Sequence, residues 1–465
     1  MFYRILNAVK NRIAKLISAA AVAVFTLALI AFSFKIALAV FAGSLFLVMV
    51  FFQPFWGLLV YIAMTYLRPQ EFVEALRGQP IMLVMAAVIL GTLVVHKTLR
   101  REPFPAFKMP QTIIMIFFFL IIPLSHLQIF YLTAAKDSFM AFLPIFMLFF
   151  MLVSLIENIE QLKTVYLFLF SITLLLAVNG IYQYHHGTDI AGQTMIQGRI
   201  RWIGIFEDPN DLGLTILVFT PFALVNAFSR SVNILKRSLW LIAFLILVYA
   251  LYLTDSRGTF LGLIAVLGFF FVKRFGKMRG AVLGAVLLLA ALAAGPGRFS
   301  EISTEEASAS GRLDAWATGL SLFFWRPLLG IGFGNFTEYH HLTAHNSVVL
   351  CMAELGFPGI FAWMLLMVKS FRDILIIEGQ NLSGRMPVYL ETMQLAIVGF
   401  FVSAFFLSRT YNAVYYIVIA LASLTAYLMG RESGTRLPFI SKKTVMITLV
   451  SIIILIVIIK ILVAA

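Results

Sequence analysis

Four short polar stretches hold most of this sequence's capacity for chemistry. The first is Gly198-Arg199-Ile200-Arg201-Trp202-Ile203-Gly204, followed by Ile205-Phe206-Glu207-Asp208-Pro209-Asn210-Asp211. Pro209-Asn210-Asp211 reads as a turn opening a helix, with Asn210 or Asp211 as its N-cap. Arg201 beside Trp202 fits two roles: anchoring at a membrane interface, or gripping an anionic lipid head group. The second stretch, Asp255-Ser256-Arg257-Gly258, sets an arginine next to a glycine. That pairing lets a planar guanidinium approach a phosphate closely, although a plain turn with Arg257 paired to Asp255 explains the same residues.

The third stretch joins Gly311-Arg312-Leu313-Asp314-Ala315-Trp316 to Trp325-Arg326-Pro327-Leu328-Leu329-Gly330-Ile331-Gly332 and Gly334-Asn335-Phe336. Aromatic residues mixed with Gly and Arg suit a surface-lying helix packed over a lipid or sugar. The Gly330, Gly332 and Gly334 spacing is wrong for a dinucleotide fingerprint, and no strand precedes it. The fourth is His340-His341-Leu342-Thr343-Ala344-His345-Asn346. Three clustered histidines raise the idea of a metal site, but no glutamate of the zincin kind separates His341 from His345 and no third ligand is evident. No metal and no cofactor is therefore expected. A histidine at the mouth of a helix can act as a general base, because its pKa lies near working pH. Capping the helix is the competing structural role.

The elements that must position these stretches are membrane helices. Of the 465 residues 62% are hydrophobic and 12% charged, with a mean hydropathy of +0.98. A soluble core does not grow in proportion to chain length, so this much apolar surface excludes an ordinary globular enzyme. Apolar runs long enough to cross ~30 Å of hydrocarbon recur along the chain. They predict spans at 17–34, 36–51, 54–66, 80–96, 110–126, 138–155, 163–184, 211–228, 238–254, 258–272, 280–294, 347–370, 390–408, 412–429 and 444–463. The fold class is thus all-α, a polytopic bundle of about 12–15 transmembrane helices. An alternating ten-residue barrel pattern is missing. Segment 36–66 reads as two short helices broken at Gln53-Pro54, which keeps the basic N-terminus inside. The first run is expected to be a retained span, since no small-residue cleavage site follows it. Cys351, the single cysteine, sits in an apolar run and reads as a buried structural thiol.

The net charge of +14 does not indicate nucleic acid, because Lys and Arg sit in short loops between spans. About 23 fall on the expected cytoplasmic side and about 12 on the other, as the positive-inside rule demands. The long polar segments 185–210 and 295–345 and the turn at 254–258 then share the outer face, and loops of that length are usually functional. The expected organisation is N-terminal helices over 1–184, a catalytic core over 185–370 that includes the outer loop 295–345, and C-terminal helices over 371–465. The stretch 295–310 reads as flexible. No internal repeat of the kind that builds many transporters is evident.

His345-Asn346, nine residues and then Gly356-Phe357-Pro358-Gly359 resembles the His-Asn-x9-Gly-x-x-Gly signature of bacterial O-antigen ligases. Arg201-x-x-Gly204-x-Phe206-x-x-Pro209-Asn210, Ser256-Arg257-Gly258 and Gly311-Arg312 through Gly332 are similar to elements of the O-antigen ligase and polymerase superfamily, in the same order. Tyr66-Leu67-Arg68-Pro69-Gln70 is similar to a segment of O-glycosylation ligases associated with exosortase systems. The resemblance implies a GT-C type membrane glycosyltransferase in a bacterial inner membrane, with a long periplasmic loop and an active site facing the periplasm. It would move a glycan from an undecaprenyl-diphosphate carrier to an acceptor hydroxyl on a lipid A core or a protein, inverting the anomeric carbon without metal. His345 would be the base and Arg201, Arg257 and Arg312 would hold the diphosphate. Asn346, Gly356, Gly359, Pro209 and Asn210 would support them.

Three rivals differ in what they require. A polymerase of the same superfamily uses the same donor but takes another carrier-linked glycan as acceptor. A peptidoglycan glycosyltransferase of the shape and division type needs an outer aspartate motif that neither Asp255 nor Asp314 provides. A lipid-linked glycan flippase or transporter places charges near mid-membrane, where this sequence offers chiefly Glu354.

Overall fold

The computed structural model describes residues 34–72, 76–127, 130–294, 302–380 and 386–464. The regular elements among them are helical, apart from isolated bridges joining Thr188 to Thr194 and Ile196 to Arg199. The chain divides into two compact units, Met1–Phe104 and Pro105–Ala465.

In the first unit lie α1 (Phe34–Phe52), α2 (Pro54–Leu67) and α3 (Ile81–Arg100). Gln53 leaves helical geometry at φ −144° and ψ 83°, and Pro54 opens α2. Proline's missing N–H is harmless at a first helical position, so the break falls where the sequence puts it. Arg68 then turns the chain in the left-handed region, with its Nε 2.6 Å from Glu71 Oε1. The expected span 17–34 lies, except for Phe34, outside the described residues.

The second unit holds α4 (Pro110–Leu127), α5 (Leu132–Leu155), α6 (Ile159–His186), α7 (Pro209–Ala227), α8 (Ile234–Leu253), α9 (Arg257–Phe275), α10 (Lys277–Ala294) and α11 (Ile302–Trp325). It continues with α12 (Ser347–Glu378), α13 (Met386–Ala404), α14 (Ala413–Ser433) and α15 (Lys442–Ala464). Among the described residues, 11 helices are long and apolar enough to cross a membrane. The polar segment 295–345 is not simply a loop. Its first residues, 295–301, lie outside the described ones, and a 24-residue helix follows at Ile302–Trp325.

Burial runs against hydropathy, which identifies the solvent. The most apolar helix, α15, has a hydropathy of 3.1 but is only 22% buried, whereas α7, at 1.3, is 89% buried. Water would drive the opposite arrangement. Lipid tolerates α15 outside and leaves the centre to helices that pack through small and polar groups. The chain is a multi-pass membrane protein. Its centre is built from α7, α12 and α14: α7 packs on α8 and α13, and α12 packs on α4, α11, α13, α14 and α15.

Among the helix boundaries that differ from the expected spans, two matter for the site. Helix α12 continues past residue 370 to Glu378, because Lys369 and Asp373 neutralise each other inside the bundle. Helix α13 stops at Ala404 instead of continuing to residue 408. That frees Phe405–Asn412 as a turn containing Arg409.

Candidate active site

Four helices, α7, α9, α12 and α14, begin at one end of the second unit. Their N-termini turn positive dipole ends toward the loops that join there. Each start has a local cause. For α7 it is Asp208, whose Oδ1 accepts from Asn210 N at 2.9 Å. The sequence reading put the cap at Asn210 or Asp211, but Pro209 takes the first helical position and shifts it back to Asp208. Asn346 caps α12 by accepting from Val348 N and Val349 N at 2.9 and 3.1 Å. Asn412 caps α14 through Val414 N at 2.9 Å.

Hydrogen bonds join these starts into one frame. Arg199, buried, donates from Nε to Thr254 O at 2.8 Å and from Nη2 to Asn210 Oδ1 at 3.0 Å. It thus ties the loop 187–208 to the turn before Arg257. Ser403 Oγ donates to Gly258 O at 3.0 Å. Ser347 Oγ donates to Leu407 O at 2.6 Å and accepts from Arg409 N at 2.8 Å, while Thr410 Oγ1 donates to Ser347 O at 2.7 Å. Arg409 in turn pairs with Asp208 and with Asp211, the latter at 2.6 Å. Asn412 Nδ2 also donates to Asp211, at 2.7 Å.

Within this frame stands His345. Its φ of +47° is left-handed, a conformation that costs a residue with a Cβ roughly 1–2 kcal/mol. The ring is half-buried and, among the described residues, makes no hydrogen bond or ion pair. It lies within electrostatic reach of Arg312, Arg409, Asp208 and His340. Burial first, and then the charges of Arg312 and Arg409, hold its pKa below the usual histidine range. At neutral pH the imidazole is a free base. Burial pushes the Asp208 carboxyl up, but Arg409, the Asn210 N–H and Arg199 together hold it below the usual carboxylate range.

Of the arginines singled out in the sequence, Arg257 and Arg312 are close enough to repel each other, and Arg312 faces His345. Arg257 occupies the first position of α9. Arg201 sits on the neighbouring loop, its backbone N bonded to Gln183 Oε1 at 2.8 Å and its Nε to Thr194 O at 2.9 Å. Three buried donors near these residues in the chain, Ser256 Oγ, Trp316 Nε1 and Asn346 Nδ2, have no hydrogen-bond partner among the described residues.

His340, in the same stretch, has other partners. His340 Nε2 lies 3.1 Å from Asp314 Oδ2, while its Nδ1 accepts from Leu342 N at 3.0 Å. Its ring lies against His341 with centroids 4.5 Å apart and planes tilted by 30°. Among the described residues no group of three or more His, Cys, Asp or Glu side chains is placed to hold a metal.

The glycines of the third and fourth stretches have a common purpose. Gly356 breaks α12 at φ +65° and ψ −163°. The loop after α11 docks into that break: Ile331 N donates to Ala353 O at 2.9 Å, Gly332 N to Glu354 O at 3.1 Å and Phe357 N to Pro327 O at 2.7 Å. Backbone freed by the break is thus satisfied within the protein, as a membrane demands. A Cβ at Gly330 would stand 2.3 Å from Glu354 C, and one at Gly356 would stand 2.7 Å from Leu328 C. Glu354, the main charge the sequence placed within a span, turns its Oε1 to Phe336 N at 3.1 Å. That bond ties the loop to α12. Cys351 is fully buried.

Arg409 and its turn were invisible in the sequence reading because the apolar run 390–408 masked them. The signal was there in Ser408-Arg409-Thr410-Tyr411-Asn412, a polar turn at the same end as His345.

Residues 242–364 match the family model described as O-antigen ligase. The match takes in Arg257, Arg312, His345, Asn346, Gly356 and Gly359. Arg201, Pro209, Asn210 and Arg409 lie outside it. No curated protein sequence matches the chain. Segment 242–364 is thus similar to the O-antigen ligase family, and the chain that carries it is a multi-pass membrane protein.

Proposed function

We propose that this protein is a GT-C type glycosyltransferase acting as a ligase at the periplasmic face of a bacterial inner membrane. It transfers a glycan from an undecaprenyl-diphosphate carrier to an acceptor hydroxyl on a lipid A core or a protein. The observation that carries this reading is the placement of an uncommitted, neutral His345 beside Arg312 at an end where several helices begin. A base next to a phosphate-binding surface is what displacement of a lipid diphosphate by a hydroxyl needs.

In the proposed step, His345 accepts the proton of the acceptor hydroxyl as that oxygen attacks the anomeric carbon. The bond between that carbon and the diphosphate oxygen breaks, and the configuration inverts. Negative charge collects on the departing diphosphate, where Arg257, Arg312 and the first N–H groups of α9 stabilise it. Arg201 reaches the carrier from the neighbouring loop. Buried donors at Ser256, Trp316 and Asn346, costly when unmatched, gain phosphate or sugar oxygens as acceptors. Asp208 and Arg409 position the base from behind, and Pro209 and Asn210 fix Asp208. Arginine charge supplies what a metal supplies in other transferases. A cavity of about 700 Å³, lined by His126, Tyr131, Asp137, Phe333, Glu338 and Tyr339, is where we place part of the glycan.

The test is transfer by purified protein from an undecaprenyl-diphosphate glycan to lipid and protein acceptors, with EDTA present. Metal-independent transfer that disappears in His345→Ala supports the reading. Unchanged transfer in that variant ends the base assignment. A ladder of products from donor alone identifies a polymerase, and movement of donor across a bilayer without transfer identifies a flippase.

A further inference from the structure

We propose that the opposite end of the second unit carries a separate site for the headgroup of an anionic glycerophospholipid. A cavity of about 420 Å³ opens there between α4, α12, α14 and the segment that leads into α15. Its charged lining is one-sided. Lys108, Arg431 and Arg436 line it, and none of the three forms an ion pair among the described residues. The single lining carboxylate, Asp373, is already matched: Lys369 Nζ reaches both its oxygens, the first at 2.5 Å. Glu432 follows Arg431 in the chain but does not line the cavity. Three cations thus surround a space whose only anion is spent.

The floor asks for something besides an anion. Gln111 is 1% exposed; its Nε2 donates to Asp373 Oδ2 at 2.9 Å, while its Oε1 meets no hydrogen-bond donor among the described residues. A buried carbonyl oxygen in that position calls for a hydroxyl or an N–H. The rim is apolar, with Phe439 53% exposed beside Leu437 and Met109. Phosphate among the cations, a headgroup hydroxyl on Gln111 and acyl chains along the rim together describe a hydroxyl-bearing anionic phospholipid such as phosphatidylglycerol. Basic pockets between membrane helices on the cytoplasmic side bind such head groups, and that is the side to which the basic loops assign this end. The same chemistry would accept a free glycerol phosphate, so the source must be separated by experiment.

Native mass spectrometry of the detergent-solubilised full chain makes the separation, with phosphatidylglycerol, phosphatidic acid, phosphatidylcholine and glycerol 3-phosphate offered at equal concentration. The expected order is phosphatidylglycerol first, phosphatidic acid weaker for lack of the hydroxyl, and phosphatidylcholine weakest. Each of Lys108→Gln, Arg431→Gln and Arg436→Gln should lower phosphatidylglycerol retention by ~5-fold. All three are exposed, so the variants should fold. Retention unchanged in the triple variant overturns the site. Displacement of the lipid by equimolar glycerol 3-phosphate overturns the lipid as occupant, and equal retention of phosphatidic acid overturns the role of Gln111.

Discussion

The two ends of the second unit treat charge in opposite ways. Away from His345, cations meet carboxylates on neighbouring helices: Lys273 meets Glu378 at 2.5 Å and Arg274 meets Glu391 at 3.3 Å. Such pairs fix helix against helix and leave little for a ligand. At the His345 end, Arg312 and Arg257 repel each other, and among the described residues His345 stands unbonded in a left-handed conformation and buried donors lack acceptors. A fold that only needed stability would not keep that arrangement. Locally unfavourable groups held by a well-bonded frame are the physical mark of a site that expects a ligand. The Lys108, Arg431 and Arg436 cluster differs from these pairs, because among the described residues no carboxylate meets its cations.

The largest effect that could break this comparison concerns His345. His345→Gln should reduce transfer by roughly 10²–10⁴-fold, the contribution of a positioned general base. His345→Gly should be as inactive yet melt no lower than wild type, because glycine adopts the left-handed conformation without strain. A lower melting temperature for the glycine variant would show that the residue serves the fold.

Next come the arginines. Arg257→Gln and Arg312→Gln should each lower kcat by about 10²–10³-fold, as removal of a donor at developing charge does elsewhere. Arg201→Gln should act mainly on KM for the donor, since its Nε is already bonded to Thr194. Equal losses in all three would remove the distinction between the His345 cluster and the neighbouring loop. Among structural changes, Gly356→Ala should cost roughly 2–4 kcal/mol of stability by thermal or chaotrope unfolding, since it adds strain at positive φ to a backbone clash. It should also loosen the loop that carries Arg326 to Asn335.

The pH profile sharpens the same contrast. Because burial, Arg312 and Arg409 depress the His345 pKa, the imidazole remains neutral below the ordinary histidine value of about 6.5. The acid limb of kcat/KM should therefore lie below that value, and Arg312→Gln should move it upward by removing a repelling charge. A limb that ignores Arg312 would mean another group titrates. The smallest effect is expected at the neutralised end, where Lys273→Gln should change stability by about 1 kcal/mol or less, as partly exposed pairs do.

The sequence by itself determined the membrane solvent, the helical class, the break at Gln53-Pro54 and which polar stretches could bear chemistry. Those follow from local rules: run length against bilayer thickness, proline's missing N–H, and charges excluded from hydrocarbon. His345, Arg257 and Arg312 were legible because each sits in a short polar stretch between apolar runs. Other features needed the tertiary structure. The sequence could not say that Asp208 rather than Asn210 caps α7, that Arg409 joins Asp208 and Asp211 from a turn 198 residues away in the numbering of Asp211 and Arg409, or that Gly356 opens α12 to receive the loop at Gly330. Each depends on which segments become neighbours across the bundle. That choice is made by packing and by the need to satisfy every buried backbone group, not by the chemistry of adjacent residues.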